Sequence, residues 1–229
     1  MTRYGLILSV VMILFAKPAL AQDKCVGVDL SVWSEELVAC AEQGSAEAQS
    51  KLGYMYDYGQ GVPEDNEEAI RWYTLAAEQG QANAQFNLGF MYYLGSGIPE
   101  DGAEAARWFK LAAEQEDAYA QYLLGALYDE GGPNLPVDYG EAARWYHRAA
   151  EQGETTAQYA LGLLYSVGRG VPQDLVYAYM WWNVATFLGD SWAGKRDKIA
   201  ESMTVEQIAE AERLTREWLE AHSELEAVY

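Results

Sequence analysis

Apolar residues return along this chain at helical spacing, in two alternating patterns. In the first, Ala48, Leu52, Met55 and Tyr56 fall on one stripe of a segment from about Ala46 to Tyr58. In the second, Ala69, Trp72, Tyr73, Ala76 and Ala77 share the inward face of a segment from about Asn66 to Gln79. Between them, Gly59-Gln60-Gly61-Val62-Pro63 stops the first helix, because glycine tolerates left-handed backbone and proline cannot continue a helix interior. Gly80 closes the second. The spacing predicts two antiparallel helices, A and B.

That pair is written four times. Ala48-Gln49 with Leu52-Gly53 returns as Ala84-Gln85 with Leu88-Gly89, and again from Ala120-Gln121 and Ala157-Gln158. The Leu-Gly glycines, Gly53, Gly89, Gly125 and Gly162, set a period of 36, 36 and 37 residues. A fixed period in the range of roughly 20 to 50 residues marks a solenoid, whose units stack because none can bury its apolar face alone. The expected fold is all-α, a right-handed α/α solenoid of four units over about 45–80, 81–116, 117–153 and 154–190, between N- and C-terminal capping helices.

The recurring polar and glycine positions have structural readings. Asp65, Asp101, Asp138 and Asp174 precede helix B, and Glu68, Glu104 and Glu141 follow three residues later, which predicts N-capping with reciprocal bonds from the glutamates. The helix-A glycines, costing roughly 1 kcal/mol each relative to alanine, are expected to let the helices approach beside the Trp72-type ring. Gly59-x-Gly61, Gly95-x-Gly97 and Gly168-x-Gly170 lack a preceding strand and a P-loop lysine, so they read as turns and not as phosphate cradles. The third turn, Gly131-Gly132-Pro133-Asn134-Leu135-Pro136, is altered, and such insertions in solenoids often lie on a binding face. Gln49, Gln85, Gln121 and Gln158 read as structural side chains bonding backbone.

The flanks look like caps. Residues 22–44 hold an arm and a lone helix B in which Cys40 takes an alanine position. Residues 191–229 begin like another helix A, with Asp197 where Leu52 stood. A last amphipathic helix then opens at Thr204 with Gln207, and runs through Ile208, Ala211, Leu214, Trp218 and Leu219.

These units resemble the Sel-one-like repeats, tetratricopeptide-related helical pairs, over about residues 45–190. The resemblance implies adaptor and regulatory roles in protein complexes, including bacterial envelope signalling and host interaction. One branch, small cysteine-rich secreted proteins, implies penicillin binding or β-lactamase activity; it carries paired cysteines within its repeats, whereas Cys25 and Cys40 lie outside the full repeats here.

The termini and composition place the chain. Arg3, the apolar stretch Gly5–Ala16 and the Ala19-Leu20-Ala21 site read as a cleaved secretory signal peptide over 1–21. Removing it takes Arg3 and Lys17 from the 15 basic residues, leaving 13 against 35 acidic, a net charge of −22. Such a surface repels nucleic acid and anionic lipid, and no membrane insertion is expected after cleavage. The protein is expected in the periplasm or secreted. There the two cysteines, Cys25 and Cys40, should form a disulfide contributing on the order of 3 kcal/mol.

Catalytic chemistry is sparse. His147 takes a surface position of helix B and His222 lies in the C-terminal tail, without metal-ligand spacing, and there is no Gly-x-Ser-x-Gly or Ser-x-x-Lys motif. No enzyme, cofactor or metal site is expected. Binding has one clue. The helix-A face opposite the core should be polar if merely solvated, yet it carries Tyr54, Tyr58, Phe86, Phe90, Tyr93, Leu94, Tyr119, Tyr122, Leu123 and Tyr159. One reading is that some of these pack between successive helices. The other is a partner-binding groove of Tyr54, Tyr58, Phe86, Asn87, Phe90, Tyr93, Tyr122 and Tyr159, rimmed by Asp129 and Glu130, for a protein or peptide with basic and apolar residues.

Overall fold

The computed structural model describes residue 25, residues 27–188 and residues 192–223. The expected signal peptide and the last residues of the chain, 224–229, lie outside the described residues. Eleven helices form among them, with no strand: α1 (Glu35–Glu42), α2 (Ala46–Tyr58), α3 (Asn66–Glu78), α4 (Ala82–Leu94), α5 (Gly102–Ala113), α6 (Ala118–Glu130), α7 (Tyr139–Glu151), α8 (Thr155–Val167), α9 (Leu175–Phe187), α10 (Ala193–Ala200) and α11 (Val205–Ala221). The A helices are α2, α4, α6 and α8; the B helices are α3, α5, α7 and α9. Each packs against its neighbours in sequence, and α10 and α11 both pack on α9. The fold is the expected all-α solenoid.

Local chemistry sets the helix ends. Asp65, Asp101, Asp138 and Asp174 each accept two backbone N–H groups of the first turn of helix B. Gly59, Gly95 and Gly168 end their A helices in the left-handed conformation. The reciprocal bond expected from Glu68, Glu104 and Glu141 does not form. The backbone N–H of each capping aspartate already donates to an A-helix carbonyl, for example Asp65 to Tyr56 at 2.9 Å and Asp101 to Tyr92 at 3.0 Å. The glutamates instead pair with Arg71, Arg107 and Arg144 three residues on. Arg71 and Arg107 in turn lie 4.1 and 3.9 Å over the rings of Trp72 and Trp108. Where the cap's N–H is free, at Thr204 before α11, the full capping box with Gln207 is present.

The core runs through the stack, within repeats and between them. Trp72 of α3 packs with Leu37, Cys40 and Ala41 of α1 as well as with Ala48 and Leu52 of α2. Trp108 does the same with α3 and α4, and Trp145 with α5 and α6. Each tryptophan thus fills the space between its own helix A and the preceding helix B. Trp72, Trp108 and Trp181 are 4%, 5% and 2% exposed, which leaves no face for a ligand.

The helix-A glycines answer to a different ring from the one expected. A Cβ at Gly53 would stand 2.7 Å from the ring of Tyr73, not Trp72; at Gly89 it would stand 2.9 Å from Phe109, and at Gly125 2.6 Å from Tyr146. At Gly162 it would meet the Trp182 indole nitrogen at 2.3 Å. The tryptophan at the preceding position points back along the solenoid, so the next residue faces its own helix A.

A second link between repeats is a ladder of amides. Gln49, Gln85, Gln121 and Gln158 each donate to a carbonyl of the preceding helix B, at Ala41, Ala77, Ala113 and Ala150, over 2.9–3.1 Å. The first three also accept from a glutamine ending their own repeat: Gln79, Gln115 and Gln152, at 2.7, 2.7 and 2.8 Å. The ladder stops at the fourth repeat, where Leu188 ends α9 and the Gln158 Oε1 is buried without a donor. There α11 takes over, covering the end with Ala211, Thr215, Trp218 and Leu219. At the other end the Cys25–Cys40 disulfide is formed, with Cα atoms 5.7 Å apart.

The third turn is not a free loop. Its Pro133 carbonyl accepts from the Gly102 N–H at 2.8 Å, and the Asn134 side chain donates to Asp101 at 2.8 Å. Gly132 and Leu135 pair as a short bridge, with Asn134 at φ 61° between them. The extra residue is spent on clamping repeat three to the start of α5, not on presenting a binding loop.

Two predictions follow from these contacts. Gly89→Ala and Gly125→Ala should each destabilise by about 1–3 kcal/mol through overpacking, although alanine is the better helix former. Gly194→Ala in α10, where a Cβ meets nothing within 4 Å, should be neutral or stabilise by up to about 1 kcal/mol; urea unfolding of the three variants reads the opposite signs. Gln121→Leu should cost about 1–3 kcal/mol, because it strips the Ala113 carbonyl and the Gln152 amide of their partner; the same unfolding measurement checks it.

Candidate functional site: the aromatic row of helix A

Of the like helices in the stack, α2 and α4 touch directly, as expected where A helices line the inner side. The aromatic row runs along them, and its residues divide by offset. Phe86, Tyr122 and Tyr159 occupy equivalent places and lean on the ring of their own helix B: Phe109 at 5.8 Å, Tyr146 at 5.9 Å and Trp182 at 6.3 Å between centroids. These half-buried rings are seam. Tyr54 and Tyr58 pair at 4.6 Å and are 39% and 58% exposed. Phe90 lies between Phe86 and Tyr93, at 6.2 and 6.1 Å. Tyr119 bridges repeats, 5.9 Å from Phe86 and 5.9 Å from Tyr122. From Tyr93 to Tyr146 the rings therefore form one connected chain across α4, α6 and α7.

Tyr159 stands apart from that chain. Trp192, just before α10, stacks on it at 3.9 Å. The capping segment therefore covers this end of the row.

A hollow of about 400 Å³ opens between α2, α4 and the start of α6. Lys51 and Tyr54 line it from α2, Asn83, Phe86 and Asn87 from α4, and Asp117 and Tyr119 from α6. Three of these, Tyr54, Phe86 and Asn87, were expected as partner-binding residues. Lys51 and Asn83 were not, although the sequence carries a signal for Lys51: it is the one basic residue on the four A helices.

Two carboxylates sit under the row. The Tyr73 hydroxyl donates to Asp57 at 3.4 Å and the Tyr146 hydroxyl to Asp129 at 3.5 Å. Where helix B offers Phe109, which has no hydroxyl, the equivalent A-helix residue is Tyr93; where it offers Trp182, the indole N–H donates to the Tyr159 carbonyl at 3.1 Å. Burial raises the carboxyls of Asp57 and Asp129 above the ordinary aspartate range, outweighing the hydroxyl bonds that lower them.

The chain's two histidines also come together. The Glu151 carboxylate lies 3.2 Å from His222 Nε2 and 3.8 Å from His147 Nδ1, joining α7 to the end of α11. Among the described residues no group of three histidine, cysteine, aspartate or glutamate side chains is arranged to hold a metal ion. No described helix is long and apolar enough to cross a membrane.

Helical hairpins stacked at a period of 36–37 residues, with an aromatic inner row and buried tryptophan seams, define an α-helical repeat protein of the solenoid class. The Sel1 repeat family model matches residues 46–81, 82–117, 118–154 and 155–189, and the chain belongs to that family. Sel1 repeat proteins are generally protein-interaction scaffolds. The crystal structure of a Sel1 repeat protein from Oxalobacter formigenes is similar at 43% identity and a TM-score of 0.62, over 66% of this chain and 62% of that one. A protective antigen of uropathogenic Escherichia coli strains displaying an SLR fold matches at 29% identity and a TM-score of 0.47, over 81% of this chain and 48% of that one. This chain thus aligns with less than two thirds of the length of either protein. No curated protein matches the sequence significantly.

The raised carboxyls carry a prediction. A folded-state value above the unfolded one means that stability falls as pH rises through the window between the two. Asp57→Asn and Asp129→Asn keep an acceptor for the tyrosine hydroxyl but cannot ionise. Each should melt above the parent protein at pH 7, with the difference shrinking as pH falls below the ordinary aspartate range. Thermal melts across that range read the change.

Proposed function

We propose that this protein is a non-enzymatic scaffold of the bacterial envelope, binding a protein or peptide partner on the inner surface of its A helices. The observation that carries this reading is the row itself. Tyr54, Tyr58, Phe90, Tyr93 and Tyr119 remain in part open to solvent beside a hollow, where a solvated helix face would be polar. Tyrosine and phenylalanine supply large, stiff contact area, the composition of interface anchors. Asp57, Asp129 and Glu130 on the same face favour a partner with basic as well as apolar residues.

A periplasmic or secreted location is supported by the Cys25–Cys40 bridge, which persists in oxidising compartments. A regulatory part in envelope signalling fits such a scaffold, since a surface with no chemistry of its own acts by bringing partners together.

In-cell crosslinking with mass spectrometry tests the surface. Tyr54→Ala combined with Phe90→Ala should lower the recovery of at least one crosslinked partner about tenfold, corresponding to the ~1.4 kcal/mol or more expected of an anchor. A Gly194→Ala control should leave recovery unchanged. If the double variant keeps every partner at parent levels, the inner surface is not where binding occurs.

A further inference from the structure

Two helices end side by side where α11 closes the stack. α7 finishes on Glu151 and α11 is capped at its C-terminus by His222, so the negative ends of two helix dipoles and a carboxylate are brought together. A cation belongs there, yet α11 has no basic residue in its last turn. The basic residue in the last turn of α7, Arg148, is turned away to Glu116 at 2.9 Å. His222 is the bridging group, and it is half-buried, where charge is screened less than in open solvent.

Both nitrogens of its ring face acceptors. Nδ1 lies 2.8 Å from the Trp218 carbonyl, which also accepts the His222 backbone N–H at 3.1 Å. A carbonyl offers no proton, so Nδ1 carries one. Nε2 lies 3.2 Å from Glu151 Oε2. A neutral ring protonated on Nδ1 would set a lone pair against that carboxylate, whereas an attractive contact needs one more proton between them. The ring stacks on Trp218 at 4.1 Å, and Trp218 meets Trp181 edge-on at 6.0 Å, so its position is tied to the packing that seals the end of the solenoid. We propose that His222 and Glu151 form a pH-dependent clasp, which fastens the end of α11 to α7 when the extra proton is held and lets it open when that proton leaves.

The neighbouring charges leave this assignment to the pair. His147, one turn before Glu151 on α7, lies 3.8 Å from the same carboxylate, too far for a hydrogen bond, with its ring edge-on to Trp181 at 5.6 Å. It adds charge in the same pH range but does not join the two helices. α9, which packs against α11, has no charged side chain. Its Tyr177 stacks on Tyr165, and its Tyr179 lies near Arg196 and Glu212. On α11 itself Arg213 is paired with Glu210 and Glu217, and Arg216 and Glu220 are exposed. The closed clasp holds one proton more than the open form. It is therefore fully fastened below the ordinary histidine range and is lost as pH rises through that range.

Hydrogen exchange of the last turn of α11, corrected for the intrinsic pH dependence of amide exchange, reads the clasp at about pH 5.5 and about pH 8, either side of the ordinary histidine value near 6.5. The parent protein should protect this turn about fivefold better at the lower pH, the effect of a favourable cation at a helix C-terminus. His222→Gln and Glu151→Gln should each abolish the difference, and the double variant should lose no more than either alone. His147→Gln should leave the difference in place. Equal protection of the parent at the two pH values overturns the proposal, as does a difference that survives His222→Gln or Glu151→Gln, or one that His147→Gln removes. Should His222→Gln release α11 along its whole length at both pH values, His222→Lys decides, since it is cationic throughout. Protection of the turn at both pH values then supports the clasp, and a retained pH difference or no protection overturns it.

Discussion

The closeness of helix A to helix B, held by one ring lying on one glycine, is the constraint on which the other features of the repeat depend. With Tyr73, Phe109, Tyr146 or Trp182 against the bare Cα of its partner, the two helices approach further than any side chain at that place would permit. That depth carries the ring through to the inner face. There Phe86, Tyr122 and Tyr159 lean on it, and there the hydroxyls of Tyr73 and Tyr146 find Asp57 and Asp129. The aromatic row thus continues the core to the surface, and this gives an exposed tyrosine such as Tyr54 a stiff floor next to it.

Stacking is enforced in two ways that act at different ranges. Tryptophans such as Trp72 and Trp108 need the preceding helix B to become buried, so an isolated hairpin would leave a large apolar ring in water. Burial alone tolerates sliding, because apolar contact has no direction. The amide ladder supplies direction. Gln85 must meet the Ala77 carbonyl and the Gln115 amide together, and an axial slip of one residue would leave a buried carboxamide unsatisfied. At the fourth repeat the ladder ends on Leu188, and this is also where the packing changes from another hairpin to the amphipathic α11. The ends are therefore specified by the loss of the repeat's own signals, with the disulfide fixing the arm at the other end.

Much of this was legible in the residues, and the misses have a common cause. Helix positions, the aspartate caps, the turn glycines and the alanine faces follow from local rules acting within a few residues, and these are the features the structure shares with the sequence reading. What needed the structure was competition between partners far apart in the chain. Glu68 looked like half of a capping box, but the Tyr56 carbonyl nine residues before Asp65 had taken the N–H it would have used. The glycine's ring was assigned to Trp72 and is Tyr73, because the pattern shows that both are inward without showing which inward direction each takes. The third turn resembled an insertion for binding, whereas its polar residue reaches Asp101, thirty-three residues earlier. His147 and His222 had no reason in the sequence to share Glu151, and Lys51 and Asn83 became neighbours of a hollow only once successive A helices lay side by side.

The same distinction separates what the repeat can vary from what it cannot. A residue facing a glycine, a capped N-terminus or a carboxamide is fixed by geometry that all four units share, so those places carry the same chemistry in each. The inner offsets of helix A touch no such fixed partner beyond the ring below them. There the chain runs through Ser50, Phe86, Tyr122 and Tyr159 at one place and Lys51, Asn87, Leu123 and Ala160 at the next. Variation there leaves the same hairpin in all four units. It does change the chemistry of the inner surface, from a cation and carboxamides near the first two repeats to aromatic and acidic groups near the third. The row is therefore a surface with a direction, donor-rich at one end and closed by Trp192 over Tyr159 at the other. Directionality of that kind is what a stack of near-identical hairpins lacks, and it arises here from side chains that the fold leaves free.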